Sequence, residues 1–369
     1  MTSTLADTST ESEAGTVAPI PRWSAIRSRA RRLIAFLLSS LIGLVIGGVI
    51  IGITGHNPVD AYRALVDGAL FGPNFVNLVS TINRAIPIVG MGLAAAIAFR
   101  AGFFNLGGEG QLVLGGLASA LAALYVPLPA PLLMPAAVLC GALAGGLYAS
   151  FAAFLQFRLA VPLLISTLIL NYPARDFATY LTNHHFRDIA TGMNETHTVP
   201  DAARIPLLPG GTELHAGLFI LLSILLGAAF LTKRTTLGYE MNMAGLNPRF
   251  ARYGGISLQR LGYTAMFASG AVAGTVGAIL VLAEFGRYID GALTDPLYAW
   301  TGLMAALLAG SGPFGVAAAG LFFAALETGA FGMEQTTNVP QELAQVLQAI
   351  IILLIVSRTG LRAGEDRTG

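Results

Sequence analysis

The chain has 369 residues, of which 54% are apolar and only 11% are charged, and its formal net charge is +1. A soluble domain carries about 25% charged residues, so this composition excludes an ordinary soluble enzyme and is typical of a protein with many membrane spans. The net charge gives no indication of a nucleic-acid partner. The single cysteine, Cys140, excludes an intramolecular disulfide and a cysteine-based metal cluster.

The N-terminal 20 residues are rich in serine and threonine and contain acids but no base, which predicts a disordered tail. The stretch RWSAIRSRARR then supplies five arginines directly before an apolar run from Leu33 to Ile53. A signal peptide would have a shorter basic region and a shorter apolar region. We therefore predict a basic-ended cytoplasmic tail over residues 1–32, followed by a retained transmembrane helix.

Further apolar segments follow along the chain. A helix needs about 20 apolar residues to cross the hydrocarbon core, somewhat fewer when it is buried among others. The sequence predicts an all-α polytopic membrane protein with about ten spans, at 33–53, 78–99, 111–126, 131–156, 162–182, 215–232, 261–283, 297–311, 314–333 and 342–357. Pairs of glycines four residues apart, such as Gly141 with Gly145 and Gly270 with Gly274, predict close helix packing.

The basic residues predict the orientation of these spans. If both termini are cytoplasmic, most of the 21 basic residues lie on the cytoplasmic side. The exceptions, which lie outside or near the outer half, are Arg63, Arg84, Arg175, Arg187, Arg204 and Arg287. We therefore expect a transmembrane domain over residues 33–357 and a second cytoplasmic tail over residues 358–369.

A polar segment, TTLGYEMNMAGLNPRFARYGGI at residues 235–256, interrupts the apolar chain between the sixth and seventh spans. Leu237–Ala244 can form a short helix that Gly245 stops. Asn247 can cap a second short helix with Pro248 at its first position. Helices of two turns are not stable alone in water, so this pattern favours docking against a surface and a soluble partner. An ordinary basic cytoplasmic loop is the alternative interpretation.

Polar side chains within the spans are candidates for a solute pathway, because burying them in lipid is costly. These candidates are Asn105, Glu109, Gln111, Asn171, Tyr172 and Glu327. Glu109 follows glycines that break helical structure, which is tolerated at membrane depth only against protein or a water-filled cavity. Alternatively, Glu109 pairs with Arg84 or Arg100 to lock two spans together, and Glu327 anchors neighbouring helices through hydrogen bonds.

The sequence contains no motif for nucleotide hydrolysis. A phosphate-binding loop needs Gly-x-x-x-x-Gly-Lys-Ser/Thr, but the only lysine, Lys233, stands in a different context. Any ATP hydrolysis therefore belongs to another chain, and we predict no cofactor and no metal here. Four histidines in or beside the outer loop leave a zinc site open as an alternative to a solvated loop: His184, His185, His197 and His215.

Several stretches together resemble one family. FRAGFFNLGGEGQLVLGG (Phe99–Gly116), LISTLILNY (Leu164–Tyr172), the segment 235–256 and the region Leu303–Gly329 resemble ABC-transporter permeases for nucleosides and simple sugars. These belong to the wider permease family for branched-chain amino acids, ribose and simple sugars. The resemblance covers roughly residues 35–357. The chain departs from the pattern at Pro162-Leu163 and at Asn242, where this family usually has Asn-Glu and Arg.

The resemblance implies a type II importer fold, in which two permease subunits surround a central pathway in the bacterial plasma (inner) membrane. It implies an ABC ATPase subunit that holds ATP and Mg, a second permease subunit that is a homologous but different chain, and an extracytoplasmic solute-binding protein, with no nucleic acid. The segment 235–256 is similar to the coupling helices that fit the ATPase. The coupling residues carried over from the family are Gly238, Glu240, Gly245, Asn247, Pro248 and Arg252.

Two other classes of function remain open from the residues. A self-sufficient secondary transporter could use Glu109 or Glu327 as a proton site. A membrane-embedded enzyme would need a metal or nucleophile constellation, and the sequence contains no recognisable one. The leading hypothesis is the membrane subunit of an ATP-driven importer for a small polar solute.

Overall fold

A computed structural model describes residues 41–72, 75–209, 213–343, 345–346 and 349–350. Over these residues the chain is helical, with a few isolated β-bridges in the loops that connect the helices. The helices are α1 (Leu41–Ile53), α2 (Pro58–Leu70), α3 (Val76–Arg100), α4 (Gly108–Tyr125), α5 (Ala130–Leu159), α6 (Leu163–His184), α7 (Gly217–Arg234), α8 (Thr236–Leu246), α9 (Pro248–Tyr253), α10 (Leu258–Ile279), α11 (Tyr298–Leu308) and α12 (Pro313–Thr337). The predicted tails 1–32 and 358–369, and much of the predicted span 342–357, lie outside the described residues.

The all-α architecture is confirmed for the described residues, whereas the predicted number of about ten spans stays a prediction. Each predicted span from 78–99 to 314–333 coincides with one helix, within a few residues at either end. Five of the described helical segments are long and apolar enough to cross a membrane alone, namely α3, α5, α7, α12 and α10 with its continuation to Phe285. The pair α1 and α2, bent by 119°, would make a sixth. The other helices are too short or too polar for this criterion.

Helix α2 has no counterpart among the predicted spans. Asn57 caps it by accepting a hydrogen bond from the Val59 amide at 3.0 Å, and Pro58 takes the first position. Its three charged residues lower its hydropathy, which is why a search for apolar runs passes over it. The helix packs on α12, where a Cβ at Gly68 would lie 2.9 Å from the Gly332 α-carbon.

Glycine contacts bring α4, α5 and α10 together at the centre of the fold. A Cβ at Gly145 would lie 2.3 Å from the Gly270 oxygen, and one at Gly274 would lie 2.2 Å from the Gly141 oxygen. Gly115 of α4 meets Gly274 in the same way, with a hypothetical Cβ 2.3 Å from its α-carbon. The predicted close packing through small residues is therefore confirmed, because any side chain here would separate the backbones.

The outer connections are ordered around the end of α10. This helix continues as a π-helical segment, Leu280–Phe285, and ends at Gly286, whose φ of 66° favours glycine. The loop from α6 returns here: the Thr196 amide donates to the Tyr288 oxygen at 2.9 Å, and Arg287 pairs with Glu195 at 2.5 Å. Burial raises the pKa of Tyr288, which keeps this phenol neutral.

Candidate solute pathway and coupling surface

A buried amide cluster fixes the irregular backbone between α3 and α4. Asn105 Nδ2 donates to Gln111 Oε1 at 3.0 Å and to Ser269 Oγ at 2.9 Å, and Gln111 Nε2 donates back to Asn105 Oδ1 at 3.0 Å. Ser269 Oγ in turn donates to the Ala94 oxygen at 2.7 Å. Asn105 and Gln111 are almost fully buried. Their polar groups satisfy one another, so this cluster holds α3, α4 and α10 in register.

Asn171 supports the same broken backbone from α6. Its Oδ1 accepts a hydrogen bond from the Gly110 amide at 2.9 Å, and its Nδ2 donates to the Leu106 oxygen at 3.0 Å. The Leu106 amide donates to Thr167 Oγ1 at 3.1 Å. The amide of Asn171 therefore has a donor and an acceptor bond to backbone already. Asn171 therefore braces the start of α4.

Glu109 joins three helices through its carboxylate. Oε1 accepts a hydrogen bond from Arg175 Nη1 at 3.4 Å, and Oε2 accepts one from Trp300 Nε1 at 3.1 Å. The prediction that Glu109 pairs with Arg84 or Arg100 is wrong. Glu109 lies in the first turn of α4, where Arg175 of the neighbouring α6 reaches it, whereas both expected arginines have other acceptors.

A cavity of about 450 Å³ opens in front of these groups. Its lining combines charged, aromatic and amide side chains: Glu109, Leu168, Asn171, Tyr172, Arg175, Thr294, Asp295, Leu297 and Trp300. Tyr172 is 63% exposed, and within the described part of the chain its hydroxyl makes no hydrogen bond. Half of the Arg175 side chain is also exposed. The cavity therefore offers donors, acceptors and a flat ring to a polar solute.

Glu327 lies away from this cavity and links α3, α11 and α12. Its Oε2 accepts a hydrogen bond from Arg84 Nε at 2.9 Å, and its Oε1 accepts one from Thr301 Oγ1 at 3.0 Å. Only 12% of the Glu327 side chain is exposed. Both oxygens are engaged, which agrees with the anchor interpretation of this residue across α3, α11 and α12.

Five of the six predicted pathway residues surround one region, but only three of these line the cavity itself. Glu109, Asn171 and Tyr172 do so, Asn105 and Gln111 stand behind them, and Glu327 is separate. The cavity lining also includes Arg175, Asp295 and Trp300, which the sequence did not lead us to predict as pathway residues. Arg175 follows Asn171 by one helical turn, so helix periodicity could have placed it on the same face. Trp300 carries no comparable signal, because its position depends on how α11 packs.

The segment 235–256 forms two short helices, as predicted, with one correction. Thr235 caps α8 by accepting a hydrogen bond from the Gly238 amide at 3.0 Å. Asn247 caps α9 by accepting from the Arg249 and Phe250 amides at 3.1 and 3.0 Å, with Pro248 at the first position. Gly245 does not stop the first helix, because α8 continues to Leu246.

Close backbone contacts, and not turn geometry, explain the glycines of α8. A Cβ at Gly238 would lie 2.0 Å from the Leu231 oxygen of α7, and one at Gly245 would lie 2.3 Å from the Arg100 oxygen of α3. Met241 and Ala244 are fully buried against Ile97 of α3 and Leu261 of α10. The two short helices are therefore docked on the membrane helices by one face.

The opposite face of α8 and α9 is exposed and carries large apolar side chains. Tyr239, Leu246, Phe250 and Tyr253 are 63%, 84%, 59% and 92% exposed. Arg249 and Arg252 are exposed beside them, and Glu240 is partly exposed. We call this face, made of these seven residues, the coupling surface. Exposed aromatic and arginine residues in one patch are typical of a protein interface.

Arg100 connects α8 to the start of α12. Its Nη1 donates to Asn242 Oδ1 of α8 at 3.2 Å, and its Nε donates to the Ser311 oxygen, just before α12, at 3.1 Å. The family resemblance led us to expect an arginine at position 242. Here the asparagine side chain accepts a hydrogen bond from an arginine on another helix.

The histidines do not form a metal site within the described residues, where no three His, Cys, Asp or Glu side chains come together in a suitable group. His197 Nδ1 lies 3.3 Å from Asp188, in the outer loop. His215 is buried, and burial lowers its pKa, which favours the neutral ring.

Comparison with known proteins agrees with this architecture. Residues 77–356 match the family described as branched-chain amino acid transport system / permease component. A guanosine ABC transporter permease protein of Bacillus subtilis is 32% identical over 90% of this chain and 96% of its own length. A glucose ABC transporter permease protein of Haloferax volcanii is 31% identical over 87% and 86%. A nucleoside ABC transporter permease protein of Lactococcus lactis is 29% identical over 89% and 92%.

The family match covers most of the chain, and two of these relatives exceed 30% identity over nearly all of it. The helices that the structure shows are those of a protein with several membrane spans. The chain is therefore a multi-pass membrane protein that belongs to the permease family of branched-chain amino acid transport systems, among relatives that are ABC transporter permeases.

Proposed function

We propose that this chain is the membrane-spanning permease subunit of an ATP-driven importer for a small polar solute, a nucleoside or a simple sugar. The observation that carries the proposal is the coupling surface. It exposes apolar and basic side chains on two helices that are rigidly docked on α3, α7 and α10. A partner that binds there could move these helices, and with them the wall of the 450 Å³ cavity.

The cavity supports a solute of the proposed class. An uncharged polyhydroxylated solute needs several donors and acceptors, and a ring to pack against. Arg175, Asp295 and Tyr172 supply exposed polar groups, and Tyr172 and Trp300 supply aromatic faces. The names of the relatives, which are permeases for guanosine, glucose and nucleosides, support the same range of solutes.

The proposed assembly follows from the same features. ATP and Mg would bind to a separate ATPase docked on the coupling surface. A second permease subunit, a homologous but different chain, would complete the pathway opposite the cavity, and an extracytoplasmic binding protein would deliver the solute. This proposal includes ten membrane crossings, both termini in the cytoplasm and a location in the bacterial plasma membrane. It assigns no cofactor, no catalysis and no nucleic acid to this chain.

Reconstitution tests the proposal against a self-sufficient transporter. The chain would be placed in proteoliposomes alone and together with its ATPase and second permease subunits, and uptake of labelled guanosine and glucose would be measured. We expect uptake only in the complete assembly, with ATP and binding protein present. Uptake by the chain alone, driven by a proton gradient, would refute the proposal and support the secondary transporter.

A further inference from the structure

Helix α2 is too short to cross a membrane by itself. Its 13 residues extend about 20 Å, whereas the hydrocarbon core is about 30 Å thick. It is bent by 119° from α1, and it buries Ala61, Leu65 and Ala69. A Cβ at Gly329 of α12 would lie 2.3 Å from the Leu65 oxygen. This contact fixes the helix on α12 and leaves its other faces directed away from the protein.

The exposed side of α2 carries an apolar strip with charged residues directly beside it. The strip consists of Val59, Val66 and Leu70, which are 73%, 45% and 42% exposed. Arg63 lies one turn after Val59 and borders this strip. Its guanidinium lies 3.9 Å from the Asp67 carboxylate, and the two side chains are 83% and 57% exposed. An ion pair this open contributes little stability, so its charges remain available to a ligand. Apolar and charged residues side by side on one short helix are typical of an element at a lipid interface.

A cleft of about 550 Å³ separates the charged residues of α2 from α12. Its charged and polar lining comes from Asp60, Arg63, Asp67, Asn77, Ser80, Thr328, Gln335, Thr336 and Thr337. Two exposed rings, Phe71 and Phe331, also line it, with 62% and 54% of their surface accessible. The cleft therefore combines charge, hydrogen-bonding groups and apolar surface, and it continues onto the exposed apolar strip of α2.

We propose that this cleft binds the phosphoethanolamine headgroup of a membrane phospholipid. Arg63 can donate paired hydrogen bonds to the phosphate, and Asp60 and Asp67 can accept hydrogen bonds from the ammonium group. The acyl chains would lie along Phe71 and the apolar strip of α2. Asp60 Oδ2 already accepts a hydrogen bond from Asn57 at 2.8 Å, which orients this carboxylate and leaves its other oxygen for the lipid.

Charge and hydrogen bonding select this headgroup among the common ones. The two aspartates exceed the single arginine by one negative charge, so an anionic lipid would meet net repulsion. A phosphocholine headgroup has the same net charge as phosphoethanolamine. Its quaternary ammonium has no N–H, however, so it cannot donate to Asp60 or Asp67.

Native mass spectrometry of the full-length chain, purified in its membrane complex, tests the proposal. The probes are phosphatidylethanolamine, phosphatidylcholine and phosphatidylglycerol with identical acyl chains. We expect the first to bind about tenfold more tightly than the others, as the loss of charge-assisted hydrogen bonds predicts. Asp67→Asn should remove this preference. Asp201→Asn is the matched control, because that side chain is fully exposed and lies outside the cleft, and it should leave the preference unchanged.

Soluble glycerophosphoethanolamine and a Phe331→Ser variant distinguish a lipid from a free headgroup. We expect the soluble compound to compete weakly, and Phe331→Ser to weaken lipid binding more than binding of the soluble compound. Equal affinity for the lipid and the soluble headgroup would overturn the assignment to a membrane lipid. If the unmodified chain binds phosphatidylcholine or phosphatidylglycerol as tightly as phosphatidylethanolamine, or more tightly, the proposed recognition of the ammonium group is wrong. This test needs only the unmodified chain, so it holds even if the Asp67 variant fails to fold.

Discussion

The carbonyl oxygen of Arg100 lies directly against the backbone of Gly245. A Cβ placed on Gly245 would approach this oxygen to 2.3 Å, closer than any real contact of this kind. Gly102, with φ of 80°, turns the chain at the same place, and its own hypothetical Cβ would lie 3.3 Å from the Gly245 α-carbon. The end of α3 and the end of α8 therefore touch backbone to backbone, which allows a displacement of the coupling helices to reach α3 directly.

Gly245→Ala should damage this joint. The added methyl group must push α8 away from Arg100, and overpacking of this kind costs about 1–3 kcal/mol. We expect a lower thermal unfolding temperature and a loss of ATP-dependent uptake, with normal insertion in the membrane. Uptake in proteoliposomes and co-purification of the ATPase are the measurements.

Gly254→Ala is the matched control for this prediction. Gly254 ends α9 with φ of −74°, and a Cβ there would meet its nearest neighbour at 3.4 Å, an ordinary contact. This variant should behave like the unmodified protein. If Gly245→Ala also retains full uptake and ATPase binding, the backbone joint does not transmit movement.

Asn171 and Tyr172 should respond differently to substitution, although they are adjacent. Asn171→Leu leaves the Gly110 amide and the Leu106 oxygen without their partners, at a cost of about 1–3 kcal/mol for each buried group. We expect lower stability and lower yield of the complex. Tyr172→Phe removes only an exposed hydroxyl and should leave the unfolding temperature unchanged.

Uptake kinetics of the same Asn171 and Tyr172 variants separate contact with solute from a structural role. If Tyr172 contacts the solute, Tyr172→Phe or Tyr172→Leu should weaken uptake while stability stays constant. A stable Asn171→Leu protein with reduced uptake would show that Asn171 contacts solute directly and would contradict the bracing role.

Removing Arg84 should be more damaging than removing both members of its ion pair. Arg84→Met leaves the largely buried Glu327 carboxylate with only the hydrogen bond from Thr301. An unpaired buried charge costs about 3–5 kcal/mol of stability. We expect a smaller loss here because the Arg84 side chain is partly exposed. The double variant Arg84→Met/Glu327→Met should recover much of this loss. Thermal unfolding of the purified complex gives the comparison.

The exposed pair Arg204 and Asp201 provides the control for this prediction. Its charged atoms are 3.8 Å apart and the Asp201 side chain is fully exposed, so Asp201→Met should change stability by less than about 1 kcal/mol. Equal losses in the single and double variants at Arg84 and Glu327 would contradict an anchoring ion pair. Proton-coupled uptake that disappears in Glu327→Gln would favour a proton site instead.

Glu109→Gln should alter uptake more than stability. The glutamine oxygen can still accept a hydrogen bond from Trp300, but Arg175 loses its charged partner and its guanidinium becomes free within the cavity. We expect initial uptake rates to change by about tenfold, because the cavity then carries an unpaired charge. Glu334→Gln of α12, outside the cavity, is the control. Identical rates in both variants would exclude a role of Glu109 in the pathway.

Much of the architecture followed from local patterns. Apolar runs predicted the described spans from α3 to α12, because hydrocarbon demands helices of a minimum length. Asn247 and Pro248 predicted the start of α9, because a cap depends on neighbours two or three residues away. Glycine spacing predicted close helix packing, which the structure shows between α5 and α10. These features require only information within one turn or one span, which the sequence by itself contains.

The partners across helices depended on the tertiary structure. Glu109 could have paired with any arginine near the same depth, and only the packing of α6 against α4 selected Arg175. Gly245 looked like a helix stop, but its role is set by the Arg100 oxygen, a neighbour 145 positions away. Hydropathy and capping are properties of a segment, whereas these side-chain and backbone contacts exist only once separate helices pack together.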